Sequence, residues 1–230
     1  MPETAMRAIL ALLAALFLIG PATAQLRTDW NANVTVTPGG AFVLGNPRAT
    51  RLIEYVSYTC PHCAHFVGEA SEPLRSGWIS KGTLGLEVRN AVRDPYDLAA
   101  AVLVRCGGKA RFFANHEAMF ASQDGWMERV QAYESRRAGL PTPKNAAEQL
   151  IAIAGGTGLT DFFAKRGVTA EQQRVCLSDK ATLDALGAMA KDAWEAKKIG
   201  GTPSFSIDGR LVDGAHDWNG LRPALPAPSK

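Results

Sequence analysis

Several features that would make a function easy to assign are scarce in this chain or absent from it. Beyond residue 24 no stretch is long and apolar enough to cross a bilayer. Neither sign of charge dominates: 25 Lys and Arg face 22 Asp and Glu, a formal net charge of +3 over 230 residues. Nucleic-acid-binding domains concentrate basic residues far more strongly, so no nucleic-acid partner is expected. Internal repeats and low-complexity linkers are lacking, and 47% hydrophobic against 20% charged residues excludes disordered, collagen-like and coiled-coil chains. There is no G-x-S-x-G, no H-E-x-x-H and no G-K-[ST] phosphate loop. Gly155-Gly156-Thr157-Gly158 follows helical rather than strand sequence, so it reads as a helix stop. His116 and His216 have no metal-ligand spacing and read as surface or capping residues.

The N-terminus is distinctive. Arg7 leads into the uncharged run Ala8–Gly20, followed by Pro21-Ala22-Thr23-Ala24. A positive start, a short apolar core and small residues at an A-x-A site make a secretory signal peptide of residues 1–24. The 13 residues of that run would reach only about 20 Å as a helix, too short for a membrane span. Cleavage near Ala24–Gln25 and export to an oxidising compartment are therefore expected.

Only four cysteines occur, Cys60, Cys63, Cys106 and Cys176, all in the exported part. An even number in an oxidising compartment suggests two disulfides. Cys60 and Cys63 form a C-x-x-C, which leaves Cys106 and Cys176 for each other as a structural disulfide. A chain of this size buries its own core without staples, so at least one pair is available for chemistry.

Hydrophobic patterning orders the elements. Asn33–Leu44 reads as a hairpin turning at Pro38-Gly39-Gly40, and Leu52–Tyr58 as a buried strand. Helical sequence starts at Pro61, a residue favoured at the first helical position. After a strand candidate at Leu84–Val92, Asp94 and Pro95 open a helix that Gly107 ends. Further helices are expected at Ala110–Ser122, Trp126–Arg137, Lys144–Ala154, Asp161–Arg166, after a Thr169/Gln172 capping box, and from about Ala181 to Lys198. Phe112, Phe113, Met119, Phe120 and Trp126 read as core of this helical region. Strands return at Ser204–Ile207 and Arg210–Val212 around Asp208-Gly209, and a short helix at Asp217–Arg222 precedes a proline-rich tail. Strands, helices, then strands imply an α/β sheet domain (25–94 and 179–230) with a helical domain inserted at 95–178.

Chemistry concentrates at Cys60-Pro61-His62-Cys63. The thiolate is the reactive form of cysteine, and the start of a helix favours negative charge. His62 can add a positive charge or a donor, and Cys63, one helical turn on, can close a disulfide with Cys60. Two other readings stay open at this point. A structural disulfide is one, although a bridge between residues three apart constrains little. Half of a zinc site or a metal-binding, chaperone-like module is the other, although no second recognisable ligand pair is present.

Tyr55-Val56-Ser57-Tyr58-Thr59-Cys60-Pro61-His62-Cys63, an α-rich insertion and Gly201-Thr202-Pro203 together resemble the DsbA-like branch of the thioredoxin superfamily. The resemblance implies a thioredoxin-like mixed sheet interrupted by a helical domain. It implies that Pro203 is cis and faces the disulfide, and that Thr202 aligns a substrate peptide. It also implies that Glu54, six residues before Cys60, is a buried acid able to relay protons to Cys63; a solvent-facing Glu54 is the alternative. The resemblance further implies that the oxidising compartment is the periplasm. The expected activity is that of a thiol:disulfide oxidoreductase, most simply an oxidase. Its cysteine pair would serve in place of a cofactor, with no metal. Partners would be reduced, unfolded exported proteins and a membrane quinone-linked thiol oxidase, and the protein would be a monomer. Thr rather than Val at position 202 is the usual choice in disulfide isomerases and in several DsbA-like relatives, which keeps an isomerase or reductase as the alternative. The stretch between Gln25 and the first core strands is too short for the dimerisation domain such isomerases carry.

Overall fold

The structure, a computed structural model, describes residues 28–227. The expected signal peptide lies outside the described residues.

Val34–Val36 (β1) and Phe42–Gly45 (β2) pair antiparallel, with Val34 opposite Leu44. Gly40 closes the turn at φ +81°, where a side chain would strain the backbone. Thr50–Val56 (β3) follows, its last five residues buried. A central strand covered on both faces is expected to be apolar throughout, which makes Glu54 in its middle an exception. Pro61–Leu74 (α1) runs into a wider turn at Arg75–Ile79, where the Ser80 N–H donates to the Arg75 carbonyl five residues back. Leu84–Asn90 (β4) then lies parallel to β3, the crossover geometry that parallel strands require.

Six helices intervene before the sheet resumes: Pro95–Arg105 (α2), Phe112–Ala121 (α3), Gln123–Arg136 (α4), Ala146–Gly156 (α5), Leu159–Ala164 (α6) and Ala170–Ser178 (α7). In α2 every side chain from Ala99 to Val104 is fully buried, as expected of a helix that is apolar all round. Asp94 caps it by accepting from the Asp97 N–H, and Thr169 and Gln172 form the capping box of α7. Phe112, Phe113, Met119, Phe120 and Trp126 all lie in the core.

His116 departs from the sequence reading. It is buried rather than a surface or capping residue, at 3% exposure, with Nδ1 2.9 Å from the Tyr58 hydroxyl. The helical period explains this: Phe112, His116 and Phe120 share one face of α3, and the apolar face carries the imidazole inward.

Lys180–Lys191 (α8) is shorter than the sequence suggests. It ends in another widened turn at Asp192–Ala196, where the Lys197 N–H donates to the Asp192 carbonyl. Ser204–Ile207 (β5) and Arg210–Leu211 (β6) flank Asp208 and Gly209, both with positive φ, the geometry of a tight two-residue hairpin. Trp218–Leu221 (α9) is capped by Asp217. The six strands form one sheet in the order β1-β2-β4-β3-β5-β6, and only β3 and β4 are parallel.

Register sets the site. Val56 pairs with Asn90 and Tyr55 with Ser204. The segments after β3, after β4 and before β5 therefore meet at one edge of the sheet. Residues 57–60, 91–94 and 201–203 converge there, at the carboxyl ends of the parallel strands, where open α/β sheets place their sites.

Candidate active site

Cys60 is the N-cap of α1, with extended backbone and no side-chain capping bond. Pro61 occupies the first helical turn at no cost, since an N–H there has no helical partner. Cys63 lies one turn along, and its N–H donates to the Cys60 carbonyl at 3.1 Å. Both cysteines are thiols and both are buried. The Thr202–Pro203 peptide bond is cis, and the Cys60 thiol donates to the Thr202 carbonyl at 3.0 Å. On the far side of Pro203, His216 donates from Nδ1 to the Pro203 carbonyl at 2.9 Å. A cleft of about 760 Å³ opens where Pro61 and Thr202 flank Cys60, with His62, His65, Gly201 and His216 in its walls.

The two thiols are electrostatically unequal. Cys60 is lowered from an ordinary thiol value of 9.0 to about 5. The hydrogen bond from the Cys63 side chain does most of this and outweighs the opposing effect of burial. The Thr202 side chain, the Cys63 N–H and the Arg93 charge add to it. The Thr202 hydroxyl makes no complete hydrogen bond while Cys60 is a thiol, so it is available to the anion. Cys63 moves the other way, well above 9.0, because it is buried and because Cys60 takes the negative charge first. His62 is exposed and is not among the groups that hold Cys60 down.

Glu54 is 1% exposed, between Phe205 of β5 and Val88 of β4 in the sheet register. Burial raises its carboxyl from 4.5 to about 8, and the charge of Glu117 adds to the rise. Its Oε1 has no hydrogen-bond partner. Glu54 is also one of the groups that raise Cys63. Glu54 is therefore a neutral buried acid at pH 7 whose charge, once it ionises, is felt at the less acidic thiol.

Three residues that sequence reasoning passed over hold the loop ahead of Cys60. Arg93 donates from Nε to Ser57 Oγ at 3.0 Å and from Nη2 to Thr59 Oγ1 at 3.2 Å. Asp97 accepts from the Tyr58 N–H at 2.7 Å and from the Arg93 N–H at 3.1 Å. Gln123, at the start of α4, donates to the Tyr58 and Cys60 carbonyls, both at 2.9 Å. Asp94 completes the set by accepting from the Thr59 hydroxyl at 2.7 Å. The helical insertion thus grips the reactive loop through backbone groups on either side of Thr59.

Cys106, at the C-terminal end of α2, is bonded to Cys176 in α7, with Cα atoms 5.8 Å apart. Among the described residues no group of three or more His, Cys, Asp or Glu side chains has a metal-binding arrangement. No helix among them is long and apolar enough to cross a membrane.

The sequence profile described as Thioredoxin matches residues 37–227. Among solved structures, the protein-disulfide isomerase of Novosphingobium aromaticivorans is 40% identical, with a TM-score of 0.72 over 79% of this chain and 93% of that one. Wolbachia pipientis alpha-DsbA1 shares the fold at 24% identity and a TM-score of 0.59, over 81% of each chain. A Rickettsia bellii protein named as a protein-disulfide oxidoreductase is 30% identical over 169 residues, 73% of this chain and 56% of that one. The chain spans about half the length of the curated relatives it matches. With the profile running from the turn after β1 to the end of the described residues, the chain belongs to the thioredoxin family, and it shares its fold with the DsbA protein of Wolbachia.

Proposed function

We propose that the chain is a thiol:disulfide oxidoreductase that works in the periplasm as an oxidase, donating the Cys60–Cys63 disulfide to reduced, unfolded exported proteins. The observation that carries this reading is the inequality of the two thiols, with Cys60 at about 5 and Cys63 well above 9.0. A substrate thiolate attacks the Cys60 sulfur, the Cys60–Cys63 bond breaks, and Cys63 leaves and takes a proton for which Glu54 is the nearby buried donor. A second substrate thiolate then attacks the mixed disulfide, and Cys60 departs as the stabilised thiolate. The substrate loses two electrons and two protons and gains a disulfide; the protein ends with Cys63 as a thiol and Cys60 as a thiolate, one proton kept on Cys63 and the other released to solvent. A membrane quinone-linked thiol oxidase would restore the disulfide, and no cofactor beyond the cysteine pair is required. Thr202 and the cleft beside it would align an extended substrate segment, with the backbone next to cis-Pro203 supplying strand-like hydrogen bonds.

A disulfide isomerase or reductase is the second reading. It is favoured by Thr202 ahead of the cis proline and by the likeness to a structure bearing the name of a protein-disulfide isomerase. Trapping thiols by alkylation in the exported compartment separates the two. A pair found mostly oxidised supports the oxidase, and a pair found mostly reduced supports the alternative. Purified protein should oxidise a reduced, unfolded substrate, and Cys60→Ser should abolish that. Stoichiometric metal on the wild-type pair would instead favour a metal-binding module.

A further inference from the structure

Arg93 is largely exposed, yet two of its guanidinium nitrogens are committed to hydroxyls within three residues of Cys60. Its own N–H is held by Asp97, which also holds the Tyr58 N–H. Thr59 is pulled from the other side by Asp94. The planar fork of arginine suits two acceptors on one loop, and its charge is permanent across the working pH range.

We propose that Arg93 is a positioning residue for the thiol chemistry, its fork fixing the Ser57–Thr59 loop that carries Cys60 and its charge favouring the anionic sulfur. The inference rests on the oxidoreductase reading and adds to it a residue outside the C-x-x-C and the cis-proline loop. Positive charge from Arg93 is one of the influences that lower Cys60. The ionisable groups near this arrangement are Cys63 in α1, Asp94 and Asp97 at the start of α2, and His62 and His216 in the walls of the cleft. Asp94 carries the charge opposite to Arg93 on the same loop, whereas Asp97, raised by burial to about 7, is largely protonated where Cys60 titrates. Removing the guanidinium therefore takes a positive charge from the loop and leaves Asp94 on Thr59 uncompensated. Because Arg93 is solvent-exposed, its charge is partly screened and the effect is moderate.

The experiment titrates the Cys60 thiolate by its ultraviolet absorbance and by its alkylation rate, with Cys106–Cys176 intact, in wild type, Arg93→Met, Arg93→Gln and Arg93→Lys. Arg93→Met and Arg93→Gln should raise the Cys60 midpoint by about half to one unit. Alkylation near pH 5 should then slow by roughly 2–5-fold. Arg93→Lys keeps the charge and loses the fork, so it should recover most of the midpoint while the loop amides exchange faster. Equal midpoints in all four proteins would overturn the proposal even if the variants melt earlier, since bracing alone lowers stability without moving the titration. Should Arg93→Met not fold, the comparison of Arg93→Gln with Arg93→Lys decides on its own. A wild-type protein that exchanges no disulfides would defeat the functional reading; exchanging wild type with unshifted variants would defeat only the role of Arg93.

Discussion

The Cys60 thiol points at the carbonyl oxygen of Thr202 from 3.0 Å, across a gap of 142 positions in sequence. The carbonyl accepts a hydrogen bond from the protonated sulfur, whereas the thiolate has nothing to donate. On ionisation the sulfur turns to donors instead: the Cys63 side chain, the Thr202 hydroxyl and the Cys63 N–H. Both states of Cys60 therefore find partners in the same small space, and the hydrogen bond from the Cys63 side chain does most to tip the balance toward the anion.

The reduced protein should consequently be more stable than the oxidised one at neutral pH, since only the reduced form contains the Cys60 thiolate. Its folded pKa is depressed, so the stabilisation is fully present above the unfolded value of about 8.5 and disappears as pH falls through about 5. At pH 7 roughly two units act, at most about 3 kcal/mol, which solvent screening at the mouth of the site reduces to about 2 kcal/mol. That corresponds to about 45 mV toward an oxidising potential. Denaturant unfolding of both forms at pH 7 and pH 5 measures it. Equal stabilities at pH 7, or a difference that grows in acid, would contradict the prediction.

Glu54 gives a pH dependence of opposite sense. Its folded value near 8 lies above the unfolded 4.5, so its neutral form supports the fold fully below pH 4.5, and that support is lost as pH rises through 8. Asp97, raised by burial from 3.8 to about 7, acts in the same direction. Glu54→Gln stays neutral throughout. The variant should gain on wild type by one to a few kcal/mol between pH 5 and pH 9 in urea unfolding, while losing the proton-carrying group. Parallel stability curves for the two proteins would show that the carboxyl is already ionised at neutral pH.

Much of this was legible in the sequence because it is local. The hairpins, the Asp94 cap, the Thr169/Gln172 box and the handover from strand to helix at Cys60 each depend on a few adjacent residues. What escaped depends on distant neighbours. Arg93 reads as an ordinary residue before a helix cap until β4 is known to lie parallel to β3, with Asn90 opposite Val56. Only then do the residues after β4 stand beside the residues before Cys60. Gln123 is equally anonymous, since its target carbonyls lie 65 and 63 positions away. His116 was readable in principle: its place between Phe112 and Phe120 at helical spacing marks it as inward-facing, a signal outweighed by the usual exposure of histidine.

That buried imidazole predicts an acid-labile fold. Burial, with help from the Arg75 and Arg105 charges, lowers His116 from 6.5 to about 3. Its contribution is present above pH 6.5 and is lost as pH falls toward 3. Replacing His116 alone would strand the Tyr58 hydroxyl, costing about 1–3 kcal/mol, whereas Tyr58→Phe with His116→Phe removes both partners of the bond. The double variant should match wild type within about 1 kcal/mol at pH 7.5 and lose less stability between pH 6.5 and 4. Comparing the two proteins cancels the contributions of Glu54 and Asp97, which both retain. A double variant that loses as much as wild type in acid would count against a neutral His116.

The bridge between Cys106 and Cys176 closes a span of 70 residues that contains most of the helical insertion. On the loop-entropy model its removal costs about 4 kcal/mol, and residual structure in the unfolded insertion lowers that figure. The core of α2 and its aromatic neighbours remains, so Cys106→Ser with Cys176→Ser should still fold, at a lower guanidinium midpoint. The Asp94, Asp97 and Gln123 contacts reach Cys60 from the starts of α2 and α4, whereas the bridge ties the end of α2 to α7. The Cys60 titration should therefore stay within a few tenths of a unit of wild type. A large shift in that titration would mean that the insertion transmits the state of its disulfide to the active site. An unchanged guanidinium midpoint would mean that packing alone holds the insertion together.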